Sequence, residues 1–341
     1  MLRVYPQCLS NIIDESILLL VVASMQRHEG NPKVQLLGCG LFRTISYDFK
    51  NHWHIDIVYG VNGVGAVIDS MQRTLVFNQV NQISAARKHD IMKEGCFFLQ
   101  NILGNPELLR ETIQQVVSSG ITLTIIDSIL AKVDDDEYHG TACGMLANLA
   151  LDESGRQHIA DYDSSILTLL KVIGLGVEEP SKCCLTALKL LASGSDDSKG
   201  KIVRLGGVKS VLELLRPKGC DVDLVDSGLG LLSELTKNSS NISQLLLDLD
   251  GFECVMKTMA FHSSSSYIQV RACDVICNLP IGAKEAARAT ELILKAMKYR
   301  TESMVQYEGC RALLHCCHRS PKMAELLHSN EVVLRQSFFT P

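Results

Sequence analysis

The chain has little of what marks a secreted, membrane-spanning or nucleic-acid-binding protein. One Trp, nine Phe and eight Tyr in 341 residues leave Leu, Ile, Val and Ala to fill the interior, which suits packed helices better than sheets. Thirteen Cys are present, but none stand in a C-x-x-C pair. Zinc-knuckle and thioredoxin-like chemistry therefore lack their usual spacing, and free thiols in a reducing compartment are expected. The apolar run from Ile17 to Ala23 is far too short to cross a bilayer, and Asp14 and Glu15 stand where a signal peptide needs positive charge. It reads as a buried helix, and a cytosolic or nuclear location is the default. With 33 Lys+Arg against 38 Asp+Glu the net charge is -5, the wrong sign for a chain that neutralises phosphates. What is present is core material: 46% hydrophobic residues, 21% charged and a mean hydropathy of +0.13. This length permits two globules or one elongated array.

Self-similarity decides for the array. Val34-Gln35-Leu36-Leu37-Gly38-Cys39 near one end matches Val305-Gln306-Tyr307-Glu308-Gly309-Cys310 near the other. The register recurs at Gly95, Ala142, Cys184, Gly228 and Ala272, so seven small anchors are separated by 57, 47, 42, 44, 44 and 37 residues. One place after the anchor stand Cys39, Cys96, Cys143, Leu185, Leu229, Cys273 and Cys310, where cysteine serves as a small hydrophobe. Four after it come Phe42, Leu99, Leu146, Leu188, Leu232, Ile276 and Leu313; seven after it come Ile45, Ile102, Leu149, Leu191, Leu235, Leu279 and Cys316. Those offsets trace one face of an α-helix. The anchors must be small because that helix crosses its neighbours closely.

Upstream lies a second helical pattern entered through Gly120, Gly206-Gly207 or Gly251, and before it a shorter one at Pro106 to Val117, Gly155 to Asp161, Gly200 to Leu205 and Ile242 to Leu249. Three helices per unit of about 42 residues is a repeat period of helical solenoids. The spacing predicts an all-α, right-handed α-solenoid: one superhelical array over residues 1–341, with about seven three-helix repeats. The first and last are expected to be incomplete, the chain starting within a second helix and Pro321 to Phe338 adding two helices. The long first step predicts a projecting insertion near 77–90. Because polar end caps are missing, the chain also reads as part of a longer array or as lying against another chain.

The third-helix pattern, as in Ala142-Cys143-Gly144-Met145-Leu146-Ala147-Asn148-Leu149, resembles an armadillo repeat, and the likeness covers essentially the whole chain. That resemblance implies a non-enzymatic scaffold which holds a protein or peptide segment in the groove lined by its third helices. The alternative it leaves is the regulatory or docking region of a larger enzyme or a chaperone co-factor. In importin-type armadillo proteins the groove carries a Trp two places after the anchor and an Asn six places after it. Here the Trp column reads Gly40, Phe97, Gly144, Thr186, Gly230, Asp274 and Arg311, so walls that stack lysine stems are missing and import-cargo binding is demoted. The Asn column survives at Asn101, Asn148 and Asn278 and becomes Thr44, Leu190, Glu234 and His315 elsewhere. An amide there either meets a bound backbone or bonds a neighbouring turn. The residues expected to line the partner groove are Asn101, Asn148, Glu234, Asn278 and Arg311.

Other candidate chemistry has a plainer explanation. Asp134 to Glu137, Glu178-Glu179 and Asp221, Asp223 and Asp226 gather before third helices, where the helix dipole favours them, and they could also form an acidic ridge for a basic partner. His315-Cys316-Cys317-His318 looks like a metal cluster, yet Cys316 belongs to the apolar column, so no metal is assigned. Gly60, Gly63 and Gly65 lack the preceding strand of a dinucleotide loop and read as a helix-helix turn. The glycosylation patterns at Asn238 and Asn241 fall in an inter-repeat loop. No catalytic constellation and no cofactor motif are found, so no enzyme activity is expected.

Overall fold

A computed structural model describes residues 14–47, 53–80, 84–105, 109–131, 134–216 and 221–319, and among them every regular element is a helix. The chain divides into two compact units, Met1–Val172 and Ile173–Pro341. In the first, α1 (Glu15–Arg27) and α2 (Pro32–Ser46) are the second and third helices of a repeat. Whole repeats follow in α3 (Trp53–Gly60), α4 (Gly63–Val80) and α5 (Ala85–Leu103), then α6 (Leu109–Ser119), α7 (Ile121–Ile129) and α8 (Asp136–Leu149). Two more helices, α9 (Glu153–Ala160) and α10 (Asp163–Gly174), open a further repeat, and the unit boundary falls inside α10. The second unit holds the third helix α11 (Glu178–Gly194), then α12 (Asp196–Arg204), α13 (Gly207–Leu215) and α14 (Val222–Thr236). It continues with α15 (Ser240–Asp248), α16 (Gly251–Phe261) and α17 (Ser266–Asn278), and its last described helices are α18 (Ala283–Tyr299) and α19 (Ser303–Arg319). The 37-residue final step is explained by α18, one helix of 17 residues standing where two shorter ones stand elsewhere.

Third helices form the spine of each unit: α2 packs on α5 and α5 on α8, and in the second unit α11 packs on α14, α14 on α17 and α17 on α19. The two apolar columns lie inside, with all fourteen side chains at the fourth and seventh places buried. In the cysteine column Cys39, Cys96, Cys143, Leu185, Leu229 and Cys273 are buried, but Cys310 is exposed. The expectation for Cys310 is thus corrected. Cys39 meets Ser70 and Cys96 meets Tyr138, both in the following repeat, whereas α19 is the last helix described. Glycine anchors receive a side chain from the second helix of their own repeat. A Cβ at Gly38, Gly95 or Gly309 would collide with Met25, Met71 or Met297 respectively.

The expected insertion is also corrected. The extra residues lengthen α4 to 18 residues and α5 to 19, so 77–80 and 85–90 are helical rather than a projecting loop; 81–83 lie outside the described residues. The Pro321 to Phe338 helices likewise lie outside them. Four of the described turns between first and second helices use a left-handed residue: Gly120 at φ 71° and Gly206 at φ 95°, with Asn62 and Asp250 doing the same at φ 55° and 60°. Gly60 and Gly63 therefore bracket a helix-helix turn, as the sequence suggests.

The Val-Gln start of the pattern has a mechanical role that sequence inspection did not assign. Gln35 Nε2 donates to the carbonyls of Met25 (2.8 Å) and His28 (3.0 Å), Gln269 to those of Met259 (2.9 Å) and His262 (3.1 Å), and Gln306 to those of Met297 and Arg300 (both 2.7 Å). Each closes the carbonyl end of the second helix, whose last groups have no partner within the helix. His139 takes this position in the third repeat, with Nε2 2.8 Å from the Ile129 carbonyl.

Candidate functional site: the third-helix face

Six places after the anchor, a side chain reaches back to the preceding third helix. Asn101 Nδ2 donates to Ser46 Oγ (2.8 Å), and Asn148 Nδ2 to the Gln100 carbonyl (2.9 Å). Asn278 Nδ2 donates to the Ser233 carbonyl and Thr236 Oγ1 (both 3.2 Å). In the last repeat the same task falls to His315, whose Nε2 is 2.9 Å from the Leu279 carbonyl; burial lowers its affinity for a proton. Asn and His are interchangeable here because both offer an N–H at similar reach. The amide nitrogens of the three Asn thus each join neighbouring repeats. Glu234 lies 3.6 Å from the ammonium of Lys199, a nearly buried lysine of α12. Arg311 is paired with Asp274 and with Glu308 (2.7 Å).

A second ladder is ionic. Arg43 pairs with Glu94 (2.9 Å), and its guanidinium carbon lies 3.8 Å from the centre of the Phe97 ring. Phe97 is the aromatic residue of the Trp column, and the chain's own arginine already covers it. Lys93 binds Asp135 (3.1 Å) and Glu137 (2.6 Å). Lys182, at the same register as Lys93, reaches Asp221 (3.7 Å) and Glu179. Arg271 meets Asp226 at 3.2 Å. Asp135 and Asp221 also cap the first turns of α8 and α14. Burial acts to raise the carboxyl of Asp135, but hydrogen bonds from His89, the Tyr138 N–H and Lys93 outweigh it and hold the group well below the usual carboxylate range. The acidic ridge is thus largely neutralised from within: five of its carboxylates face cations of third helices.

Accessible relief among the described residues includes two neighbouring cavities of the second unit. A cleft of 660 Å³ opens between the first turns of α17 and α19, with Tyr267, Val270, Met304 and Val305 as apolar walls and the Arg271–Asp226 pair and Arg300 at its sides. Tyr267 and Met304 each stand five places before their anchors and are 76% and 59% exposed.

Burial pushes the thiols of Cys39 and Cys273 up to about 12 and that of Cys277 to about 11, and raises Cys96 and Cys316 as well. Among the described residues no group of His, Cys, Asp and Glu is placed to hold a metal ion, and no helix is long and apolar enough to cross a membrane.

No protein-family profile and no curated protein sequence matches this chain. Solved structures do. A designed armadillo repeat protein superposes on 72% of this chain and 99% of its own, with a TM-score of 0.56 and 16% identity. Another, solved in complex with the peptide (KR)4, covers 72% of this chain and 98% of its own (TM-score 0.56, 17% identity). An engineered protein covers 73% and 98% (TM-score 0.57, 21% identity). The likeness establishes the fold: three-helix repeats of the armadillo kind.

Proposed function

We propose that the protein is a non-enzymatic scaffold that captures an extended segment of a partner protein on its third-helix face. The observation that carries this reading is the 660 Å³ cleft, where Tyr267 and Met304 hold apolar surface in water at equivalent positions of successive third helices. Exposed apolar walls rimmed by polar groups are a mark of interaction sites. Peptide binding by a designed protein of the same fold supports it. The expected groove residues take a supporting part: Asn101, Asn148 and Asn278 hold the repeats in register, while Arg311 and Glu234 set the charge beside the track. The eleven described cysteines are all free thiols, in keeping with a reducing, cytosolic or nuclear compartment.

Display of random peptides against the immobilised full chain tests this. Enriched peptides are expected to bind the Tyr267→Ala, Met304→Ser double variant at least about tenfold more weakly, the loss expected from removing a buried anchor. The melting temperature should stay unchanged, since both side chains are exposed. Failure to enrich any peptide, or equal binding to the double variant, would overturn the assignment.

A further inference from the structure

Next to the cleft, and sharing Ser264 and Arg300 with it, lies a second cavity of 420 Å³ between α16, α18 and the link into α17. Its lining includes Lys295 and Arg300 and no carboxylate. The guanidinium of Arg300 is the informative group. Its Nε–H is buried without an acceptor, and among the described residues Arg300 makes no ion pair. The Nε itself is closed to a ligand, so it is the terminal N–H groups of this permanently charged side chain that the cavity can use. The Ser263 to Ser266 run supplies hydroxyls at the same wall. Ser265 is spent on capping α17 through the Ile268 N–H (3.4 Å), and Ser266 donates to Glu302 (2.7 Å). Ser263 and Ser264 are exposed and line the cavity.

Two cations and two hydroxyls, with Glu302 acting on Arg300 only from the adjoining cleft, describe a site for an anion with several acceptor oxygens. We propose that this cavity binds a phosphate monoester, with Arg300 and Lys295 as its cationic ligands and Ser263 and Ser264 as hydroxyl donors. A dianionic phosphate offers three oxygens and suits the planar donor fork of arginine better than a single carboxylate does. The cavity is large enough for the phosphorylated end of a small ligand. The same phosphoryl group can also be carried by Ser264 itself. In that case its Oγ attacks the terminal phosphorus of a nucleoside triphosphate held by a protein kinase, an Oγ–P bond forms, the bond to the departing diphosphate breaks, and the hydroxyl proton passes to the kinase's base.

The Arg300 Nε–Hε resonance in a ¹⁵N spectrum reads the site directly, its assignment fixed by loss in Arg300→Lys. Inorganic phosphate, titrated at constant ionic strength, is expected to shift it saturably, with Lys295→Met weakening binding about tenfold through loss of one charge-assisted bond. Lys295 is exposed, so that variant should melt with the parent. In a second arm, phosphoserine installed at position 264 should shift the resonance without added phosphate. A shift in either arm supports the site and names the source, free or tethered. The proposal is overturned if phosphate acts no differently from chloride and phosphoserine 264 leaves the resonance unmoved, or if Lys295→Met binds phosphate as tightly as the parent.

Discussion

Asn148 shows how one side chain divides its work between neighbours. Its amide closes the Gln100 carbonyl of the preceding third helix, so Asn148→Ala leaves a partly buried acceptor unpaired. Urea denaturation should show a loss of about 1 kcal/mol. Gln269→Leu should cost more, roughly 1–3 kcal/mol, because two carbonyls at the end of α16 lose their donor at once. A variant as stable as the parent would mean that water replaces the side chain without penalty. The Asn column was legible in the sequence from its register alone. Whether the amide meets a ligand or an adjacent helix was not, because the two choices demand the same residue at the same helical spacing.

Among elements, the third helices depend on close approach at their anchors and on charge at their first turns. Gly95→Leu would drive a side chain into Met71 on α4, and a loss of about 1–3 kcal/mol is expected for such overpacking, read as a lowered denaturation midpoint with unchanged helicity at room temperature. At the start of α8, Asp135 is held ionised below its ordinary range. A carboxyl depressed in the folded state stabilises the fold above its unfolded value near 4, and that contribution disappears as the pH falls towards the folded value. Stability should therefore fall more steeply between about pH 5 and 2 in the parent than in Asp135→Asn, whose side chain can still accept from the Tyr138 N–H. Parallel acid profiles for the two proteins would remove Asp135 from the acid response. Small anchors were evident from sequence, yet their collision partner, a methionine of the repeat's own second helix, needed the packed arrangement.

Across the molecule, the cysteines report which repeats are closed. In the native protein, alkylation followed by peptide mass spectrometry should label Cys310 rapidly while Cys39, Cys96, Cys143 and Cys273 resist until unfolding, since burial shields all four thiols and keeps Cys39, Cys96 and Cys273 protonated. Rapid labelling of Cys96 alone would contradict the packing of α5 on α8. The same repeat register continues through both compact units, and that much follows from spacing alone.

The amino-acid sequence by itself determined the helices, the three-helix period and the two apolar columns, because burial repeating every 3.6 residues is a local property of the chain. Tertiary structure decided the rest: the exposure of Cys310, the absorption of the long first step into α4 and α5, the inward use of the Asn amides and acidic residues, and the cationic cavity at Arg300. Each of these depends on which groups meet across helices tens of residues apart. Contacts of that kind are set by how closely the helices approach in space, which no single segment's pattern records.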